Sequence, residues 1–150
     1  MDTLNCLSRV LLLVVVFSFG QRSQVSGIVL DRVYVHIINE LGPYQKLTFN
    51  CKSADDDLGR HVLNYKDFYT WSFYVNFWDS TLFWCNFEWE TSKGKKIDGS
   101  FDIYDAQRDQ DRCDNQCAWR IQRKGLLSFN SNKFSWERIY RWPIPDAELP

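Results

Sequence analysis

The chain of 150 residues carries 18 Lys and Arg against 19 Asp and Glu, which gives a formal net charge of −1 at pH 7. A near-neutral chain lacks the electrostatic footprint of a nucleic-acid binder and the basic stripe that attracts anionic lipid, so we expect no nucleic acid as a partner. The length fits one domain. Phe, Trp and Tyr make up 17% of the residues, enough to build a dense core from few side chains.

The N-terminal segment, residues 1–20, has the pattern of a secretory signal peptide. Arg9 precedes an apolar run over 10–19, which is too short to cross a bilayer, since a span needs roughly 20 residues. Ser18 and Gly20 supply the small residues of a cleavage site. A buried N-terminal helix is the alternative, but the segment has no polar face to turn towards water. We therefore expect a secreted, extracellular chain without membrane insertion.

Most of the remaining chain alternates apolar and polar residues with period two, as in half-buried β-strands. Leu47, Phe49 and Cys51, for example, alternate with polar neighbours. In chain order, the segments predicted to form strands are 33–38, 45–52, 68–77, 82–90, 101–105, 117–123, 126–129 and 133–142. Polar segments separate them, including a hairpin tip over 91–96 and a long loop over 106–116.

About eight short strands, without a helical stripe of useful length or a parallel crossover, predict an all-β, antiparallel β-sandwich. A closed barrel is the alternative, because periodicity does not separate the two. We expect the domain over 33–142, after a lead-in over 21–32 and before a loose tail over 143–150. We expect a monomer.

Four cysteines follow the predicted leader, and an even number in a small exported domain favours two disulfides. They are Cys51, Cys85, Cys113 and Cys117. On an extended strand Cys113 and Cys117 would lie roughly 13 Å apart, beyond the ~7 Å that a bridge allows. A local bridge would need a tight turn over 114–116, so we expect one of the two to reach Cys51 and the other Cys85. A zinc site is the alternative, but zinc sites usually pair two short cysteine units and here there is one.

Two acidic stretches lie between predicted strands. Asp55, Asp56 and Asp57 end the strand that contains Cys51, because adjacent carboxylates repel each other and compete for their own backbone. Calcium is an alternative ligand for their oxygens, but the spacing of a calcium loop and its distant glutamate are missing. The second stretch, 105–114, mixes aspartate with arginine, and we expect these charges to pair on the surface. Loops of this kind on a rigid scaffold are natural recognition surfaces.

Catalytic chemistry would have to use His36 or His61, since the cysteines are assigned to bridges. His61 beside Asp57 allows a base and the group that orients it, as a hydrolase requires. A hydrogen-bonded loop is the simpler interpretation, and His36 falls on the polar face of a predicted strand. We therefore expect a protein that is not an enzyme and that has no metal or cofactor.

Tryptophans offer stacking platforms for sugars or nucleic-acid bases. Most stand at alternating strand positions, where burial in the core is the simpler interpretation. Trp78, at a strand end, and Trp84, opposite to the face of Cys85, are the expected exceptions.

Several motifs, taken in order, resemble the plant self-incompatibility protein S1 family, also called S-protein homologues. They are VHIINEL at 35–41, CKSADDDLGRHVL at 51–63, NFWDSTLFWCNFEW at 76–89, FDIY at 101–104, RD at 108–109, and Cys113 with CAWRI at 117–121. The resemblance covers nearly the whole predicted mature chain. The chain departs from the family in a longer stretch over 91–100 and in lacking a cysteine that some relatives carry after the glycine matching Gly125.

The resemblance implies a small, secreted, disulfide-linked β-sandwich. Founding members of the family are stigma proteins that act as ligands for a pollen membrane receptor, and many other members have no assigned role. We expect an extracellular signalling or recognition ligand whose partner is a plasma-membrane receptor ectodomain. The alternative is a secreted defence or toxin-like protein that acts on membranes or cell-wall glycans.

Three loops, 54–60, 91–99 and 106–116, are expected to face the receptor. The side chains expected to contact it are Asp55, Asp56, Asp57, Arg60, Arg108, Asp109 and Arg112. Binding would depend on a few anchors ringed by polar contacts, with Arg112 or an exposed aromatic residue as an anchor.

Overall fold

The computed structural model describes residues 32–144, which form two packed β-sheets and one short helix. The elements are β1 (Arg32–Asn39), β2 (Leu47–Lys52), β3 (Asp57–Leu63), β4 (Phe68–Tyr74), β5 (Leu82–Glu90), β6 (Lys96–Asp105), α1 (Ala106–Cys113), β7 (Gln116–Gln122), β8 (Gly125–Asn130) and β9 (Ser135–Tyr140). The predicted β-sandwich is confirmed, but it has nine strands in this part of the chain. The additional strand is β3, whose first residues were expected to belong to a loop over 54–60. The predicted leader lies outside the described residues. Within them, no helix has the length and apolar character of a bilayer span.

One sheet has the strand order β4-β1-β7-β8-β9 and the other β3-β2-β5-β6. Every neighbouring pair is antiparallel except β1 and β7, which run parallel with Val35 opposite Cys117. The expectation of purely antiparallel strands is therefore wrong at this pair. Its strands lie far apart in the sequence, so no local strand–helix–strand pattern signals them.

The core lies between the two sheets and follows the predicted alternation. In β5, the inward-facing Phe83, Cys85, Phe87 and Trp89 are all buried. Phe73 of the opposite sheet packs on Phe83 with ring centroids 4.5 Å apart. Burying one such side chain contributes about 1.5–3 kcal/mol, so the aromatic core accounts for much of the folding energy.

Residues 106–113, predicted to lie in a polar loop, form the helix α1 instead. Asp105 caps it, since its Oδ1 accepts hydrogen bonds from the backbone N–H groups of Gln107 (2.9 Å) and Arg108 (3.3 Å). The buried face of α1 carries Asp109 and Arg112 between apolar ends. Because charged residues occupy positions that are normally apolar, the sequence has no hydrophobic stripe to reveal the helix.

The disulfides are Cys51–Cys85 and Cys113–Cys117, so the expected pairing is wrong. Cys51 and Cys85 lie directly opposite each other on β2 and β5. Cys113 ends α1, and the chain reverses at Asp114, whose φ is +53°. This turn brings the Cα atoms of Cys113 and Cys117 to 5.0 Å. The estimate of roughly 13 Å assumed a strand where the chain in fact leaves a helix.

Glu40, just after β1, is a largely buried carboxylate held by three side chains. Its Oε1 lies 3.0 Å from Lys66 Nζ and 3.7 Å from Arg120 Nε, and its Oε2 accepts a 3.0 Å hydrogen bond from Gln122. Burial by itself raises the pKa of Glu40, but the hydrogen bonds from Gln122 and Lys66 and the charge of Arg120 outweigh it. The pKa is therefore below its ordinary value of 4.5.

A carboxyl whose pKa is lower in the folded chain stabilises the fold above its unfolded pKa and loses that contribution as pH falls through the folded value. We expect Glu40→Gln to lower the free energy of unfolding by about 1–2 kcal/mol at pH 7. The difference from wild type should shrink as pH falls below 4.5. Urea unfolding at pH 7 and pH 3 measures it. Glu90→Gln, which removes an exposed carboxylate, is the control. If the loss of stability in Glu40→Gln is the same at both pH values, the ionised form of Glu40 does not stabilise the fold.

Candidate recognition surface

The strand order gathers four chain connections at one end of the sandwich, which we call the helix end. They are the β2–β3 loop (53–56), the β4–β5 loop (75–81), α1 with residues 114–115, and the β8–β9 turn (131–134). Two of the three segments predicted to face a receptor, 54–60 and 106–116, therefore have their loop residues at the same end, although 57–60 begin β3 and 106–113 form α1. The third, 91–99, begins at the opposite end, because the β5–β6 hairpin turns there.

The acidic loop is a tight turn organised by Ser53. Its Oγ accepts hydrogen bonds from the backbone N–H groups of Asp55 (3.3 Å) and Asp56 (3.0 Å), and its own N–H donates to the Asp56 carbonyl at 2.9 Å. The turn leaves both aspartates exposed. Their carboxylates are thus presented to solvent by an ordered backbone.

Asp57 differs from its two neighbours because it holds the loop to β2. One carboxylate oxygen lies 2.8 Å from Lys52 Nζ, while the other accepts from Asn50 (3.0 Å) and from the Gly59 N–H (2.9 Å). The hydrogen bond from Lys52, followed by those from Asn50 and Gly59, lowers the pKa of Asp57 well below its ordinary value. Asp57 therefore stays ionised and shapes the loop.

The helix rests on a buried ionic cluster centred on Asp109, which has no exposed surface. Arg112 reaches Asp109 Oδ1 with Nε (2.9 Å) and Nη2 (2.7 Å), and Arg108 reaches Oδ1 with Nε (2.8 Å) and Oδ2 with Nη2 (2.7 Å). The Asp105 N–H also donates to Oδ2 at 2.9 Å. Two guanidinium groups and one backbone donor thus surround a single carboxylate.

The same arginines fasten α1 to the five-stranded sheet. Arg112 donates to Ser128 Oγ and to the Phe129 carbonyl, and Arg108 donates to Tyr140 Oη. Both guanidinium carbons lie within 6 Å of the Trp119 ring centroid, at 5.4 Å for Arg112 and 5.7 Å for Arg108.

Burial lowers the pKa of Arg108, but the hydrogen bond and charge of Asp109 outweigh burial and raise it above its ordinary value. The expectation that these charges pair on the surface is wrong for Asp109 and Arg112, which are buried, while Arg108 is half-buried. Arg112, which is 8% exposed, therefore offers too little surface to act as an anchor.

Arg60 lies away from the helix, on the outer face of the four-stranded sheet. It stands opposite Asn50 and lines an open groove of about 590 Å³. Side chains of both charges share this groove, including Glu88 and Lys96, whose Oε2 and Nζ lie 2.6 Å apart. Arg60 is exposed, but it lies on β3, the edge strand farthest from β6, which leads into α1.

The two histidines are engaged in hydrogen bonds on strands. His36 contacts Thr70 Oγ1 (2.8 Å) and Gln116 Oε1 (3.0 Å), on the predicted polar face of β1. His61 Nε2 lies 2.8 Å from the Leu58 carbonyl, and its ring lies 3.9 Å from that of Tyr69. Because Asp57 binds other groups, the hypothetical His61–Asp57 pair does not form. Within residues 32–144 no cluster of three or more His, Cys, Asp or Glu side chains is arranged to hold a metal.

The helix end carries exposed aromatic side chains, and the sequence predicted the exposure of only some of them. Trp78 is 79% exposed, as its position at a strand end predicted, and Trp84 is half-buried. Phe77 and Phe134 are exposed by 65% and 84% and were not predicted. They lie in turns, where strand periodicity carries no information about exposure.

The fold defines a class of protein: a small disulfide-linked β-sandwich that presents an acidic and aromatic surface at one end. The sequence pattern of the family described as plant self-incompatibility protein S1 matches residues 34–142. The chain belongs to this family.

Curated relatives from Arabidopsis thaliana agree with this assignment. S-protein homolog 5 is 48% identical over 93 residues, which are 61% of this chain and 68% of that protein. S-protein homolog 24 is 40% identical over 96 residues, but the match spans 61% of its length. S-protein homolog 20 is 36% identical over 128 residues, covering 83% of this chain and 88% of the relative.

A solved structure of a self-incompatibility protein homologue has the same fold. It superposes with a TM-score of 0.58 at 17% identity, covering 75% of this chain and 96% of the other. That homologue is described as one of a widespread family of small, highly stable, secreted plant proteins. At this level of identity the likeness supports the fold alone.

Proposed function

We propose that the protein is a secreted, non-enzymatic recognition ligand that presents its helix end to the ectodomain of a plasma-membrane receptor. One observation carries this proposal: the fold places the acidic β2–β3 loop and α1 at the same end of the sandwich and fixes both. The Cys51–Cys85 bridge closes the strands beside the acidic loop, and the Cys113–Cys117 bridge closes the end of α1. Rigid loops lose little conformational entropy on binding, which favours recognition.

Membership of the S1 family supports this reading, and a homologue's description as secreted agrees with the predicted leader over 1–20. Among the receptor-facing residues expected from the sequence, the exposed carboxylates of Asp55 and Asp56 remain candidates for direct contact. Asp57, Arg108, Asp109 and Arg112 would instead support the surface from below or beside it.

Binding of the labelled, oxidised protein to plant protoplasts tests the proposal. We expect saturable binding that unlabelled protein displaces and that protease treatment of the cells abolishes. The double change Asp55→Asn with Asp56→Asn should weaken binding about tenfold at low salt and less at high salt, because rim charges steer association.

The control is Glu90→Gln, which removes an exposed carboxylate at the opposite end of the sandwich and should bind as wild type does. If unlabelled protein fails to displace the labelled protein at every concentration, the proposal that the protein is a receptor ligand is wrong.

A defence or toxin-like protein that acts on membranes or cell-wall glycans is the second candidate, favoured by the exposure of Phe77, Trp78 and Phe134. Vesicle leakage at low concentration, or retention on a glycan array, would support it over receptor recognition.

A further inference from the structure

The β4–β5 loop displays the largest exposed aromatic pair of the helix end. Phe77 and Trp78 are 65% and 79% exposed, and their rings meet edge to face with centroids 5.2 Å apart. Side chains of this size leave roughly 300 Å² of aromatic surface in water. Single exposed apolar residues are normal, but adjacent aromatic rings that form one patch usually mark a contact site.

The turn that carries these rings is held by its own side chains. Asn76 Oδ1 accepts from the Ser80 N–H and Asn76 Nδ2 donates to Ser80 Oγ, both at 2.9 Å. The Asn76 N–H donates to Thr81 Oγ1 at 2.8 Å, and the Asp79 N–H donates to the Asn76 carbonyl at 3.1 Å. Gln110 of α1 donates to Asp79 Oδ1 at 2.9 Å. The backbone beneath the two rings is therefore ordered before any partner arrives, which lowers the entropy lost on binding.

The charges around this turn are mostly negative. In the connections of the helix end, Asp55, Asp56, Asp79, Asp111 and Asp114 are exposed and form no ion pair with a Lys or Arg of residues 32–144. Two cations of the same end are paired, Lys52 with Asp57 at 2.8 Å and Lys133 with Glu137 at 2.9 Å. Arg32, at the start of β1, lies over the Tyr74 ring, 4.9 Å from its centroid, and is outnumbered by the exposed aspartates. A surface of this kind attracts a basic partner and repels an anionic bilayer.

We propose that Phe77 and Trp78 are the anchors of the interface, seated in an apolar pocket of a protein whose rim is basic. The inference rests on the proposed function and adds to it the anchoring side chains and the chemistry of the partner. Tryptophan is one of the residue types enriched among binding hot spots, where the surrounding contacts exclude water, and complementary charges around such an anchor set the orientation of the partner.

Matched alanine variants on plant protoplasts test the anchors. Trp78→Ala should raise the dissociation constant at least 30-fold and Phe77→Ala about fivefold to tenfold. Phe68→Ala is the control, since Phe68 is 68% exposed at the start of β4, at the opposite end of the sandwich. It should bind within twofold of wild type. Because all three side chains are exposed, melting temperatures should agree within a few degrees.

Each other outcome overturns a defined part of the proposal. If the wild-type protein fails to bind saturably, both the proposed receptor function and the assignment of the anchors are wrong. If wild type binds and Trp78→Ala binds equally well, only the anchor assignment falls. An equal loss in Phe68→Ala would indicate non-specific adhesion and overturn it too.

Two further measurements address the partner. Binding should weaken as salt rises from 50 to 200 mM, and salt-independent binding would overturn the basic rim. Wild type should not partition onto phosphatidylcholine vesicles containing phosphatidylserine. Partitioning that Trp78→Ala abolishes would overturn the protein partner in favour of a membrane.

Discussion

Asp109→Asn is expected to lower the free energy of unfolding by about 3–5 kcal/mol, because it leaves the guanidinium groups of Arg108 and Arg112 without their counter-charge. Asp109 is fully buried and makes two short contacts with each arginine. An amide of the same shape keeps the packing but removes the charge, so the loss reports electrostatics. Chemical denaturation of the oxidised protein measures it.

The control for this prediction is Asp111→Asn, since Asp111 lies on the same helix but is exposed. It should change stability by no more than about 0.5 kcal/mol. The loss from Asp109→Asn should also be smaller in an Arg112→Met background, because the variant then leaves one arginine unpaired instead of two. Equal losses for the two asparagine variants would show that the cluster does not hold α1 in place.

This cluster explains why the sequence predicted the sheets well and the helix not at all. A strand with one buried face must alternate apolar and polar residues, so β2 and β5 are visible from periodicity alone. The buried face of α1 is instead made of Asp109 and Arg112, which satisfy each other and need no apolar stripe. The available signals were Asp105 as an N-cap and the opposite charges at i and i+3, both of which are weak alone.

The disulfide pairing and the site depended on information that is not local. Cys51 and Cys85 are partners because β2 and β5 are neighbours in one register, and the sequence does not state which strands pair. Likewise, the sequence predicts an exposed acidic loop at Asp55 and Asp56, but its position at the same end as α1 follows from the strand order. Phe77 is exposed because it lies in a turn that the side-chain hydrogen bonds of Asn76 close.

The second large effect concerns the two disulfides, which we expect to differ in strength. Restricting the unfolded chain stabilises the fold more when the closed loop is longer. The loops span 34 residues for Cys51–Cys85 and 4 for Cys113–Cys117. The chain-entropy relation then gives losses of about 4 and about 2 kcal/mol when each pair is replaced by alanine. All four cysteines are fully buried, so replacing either pair leaves cavities of similar size. The difference between the two losses of stability therefore reports the difference in loop length.

Hydrogen exchange separates what each bridge does in the folded chain. Losing Cys51–Cys85 should raise exchange throughout the sandwich, because it lowers the global free energy of unfolding. Losing Cys113–Cys117 should raise exchange throughout the sandwich by less, and should raise it most in α1 and the residues that follow it, since that bridge closes only this segment. The short bridge would then contribute less to overall stability and more to the order of the helix end, where we place the recognition surface. Equal losses of stability, with exchange spread alike in both variants, would contradict this division.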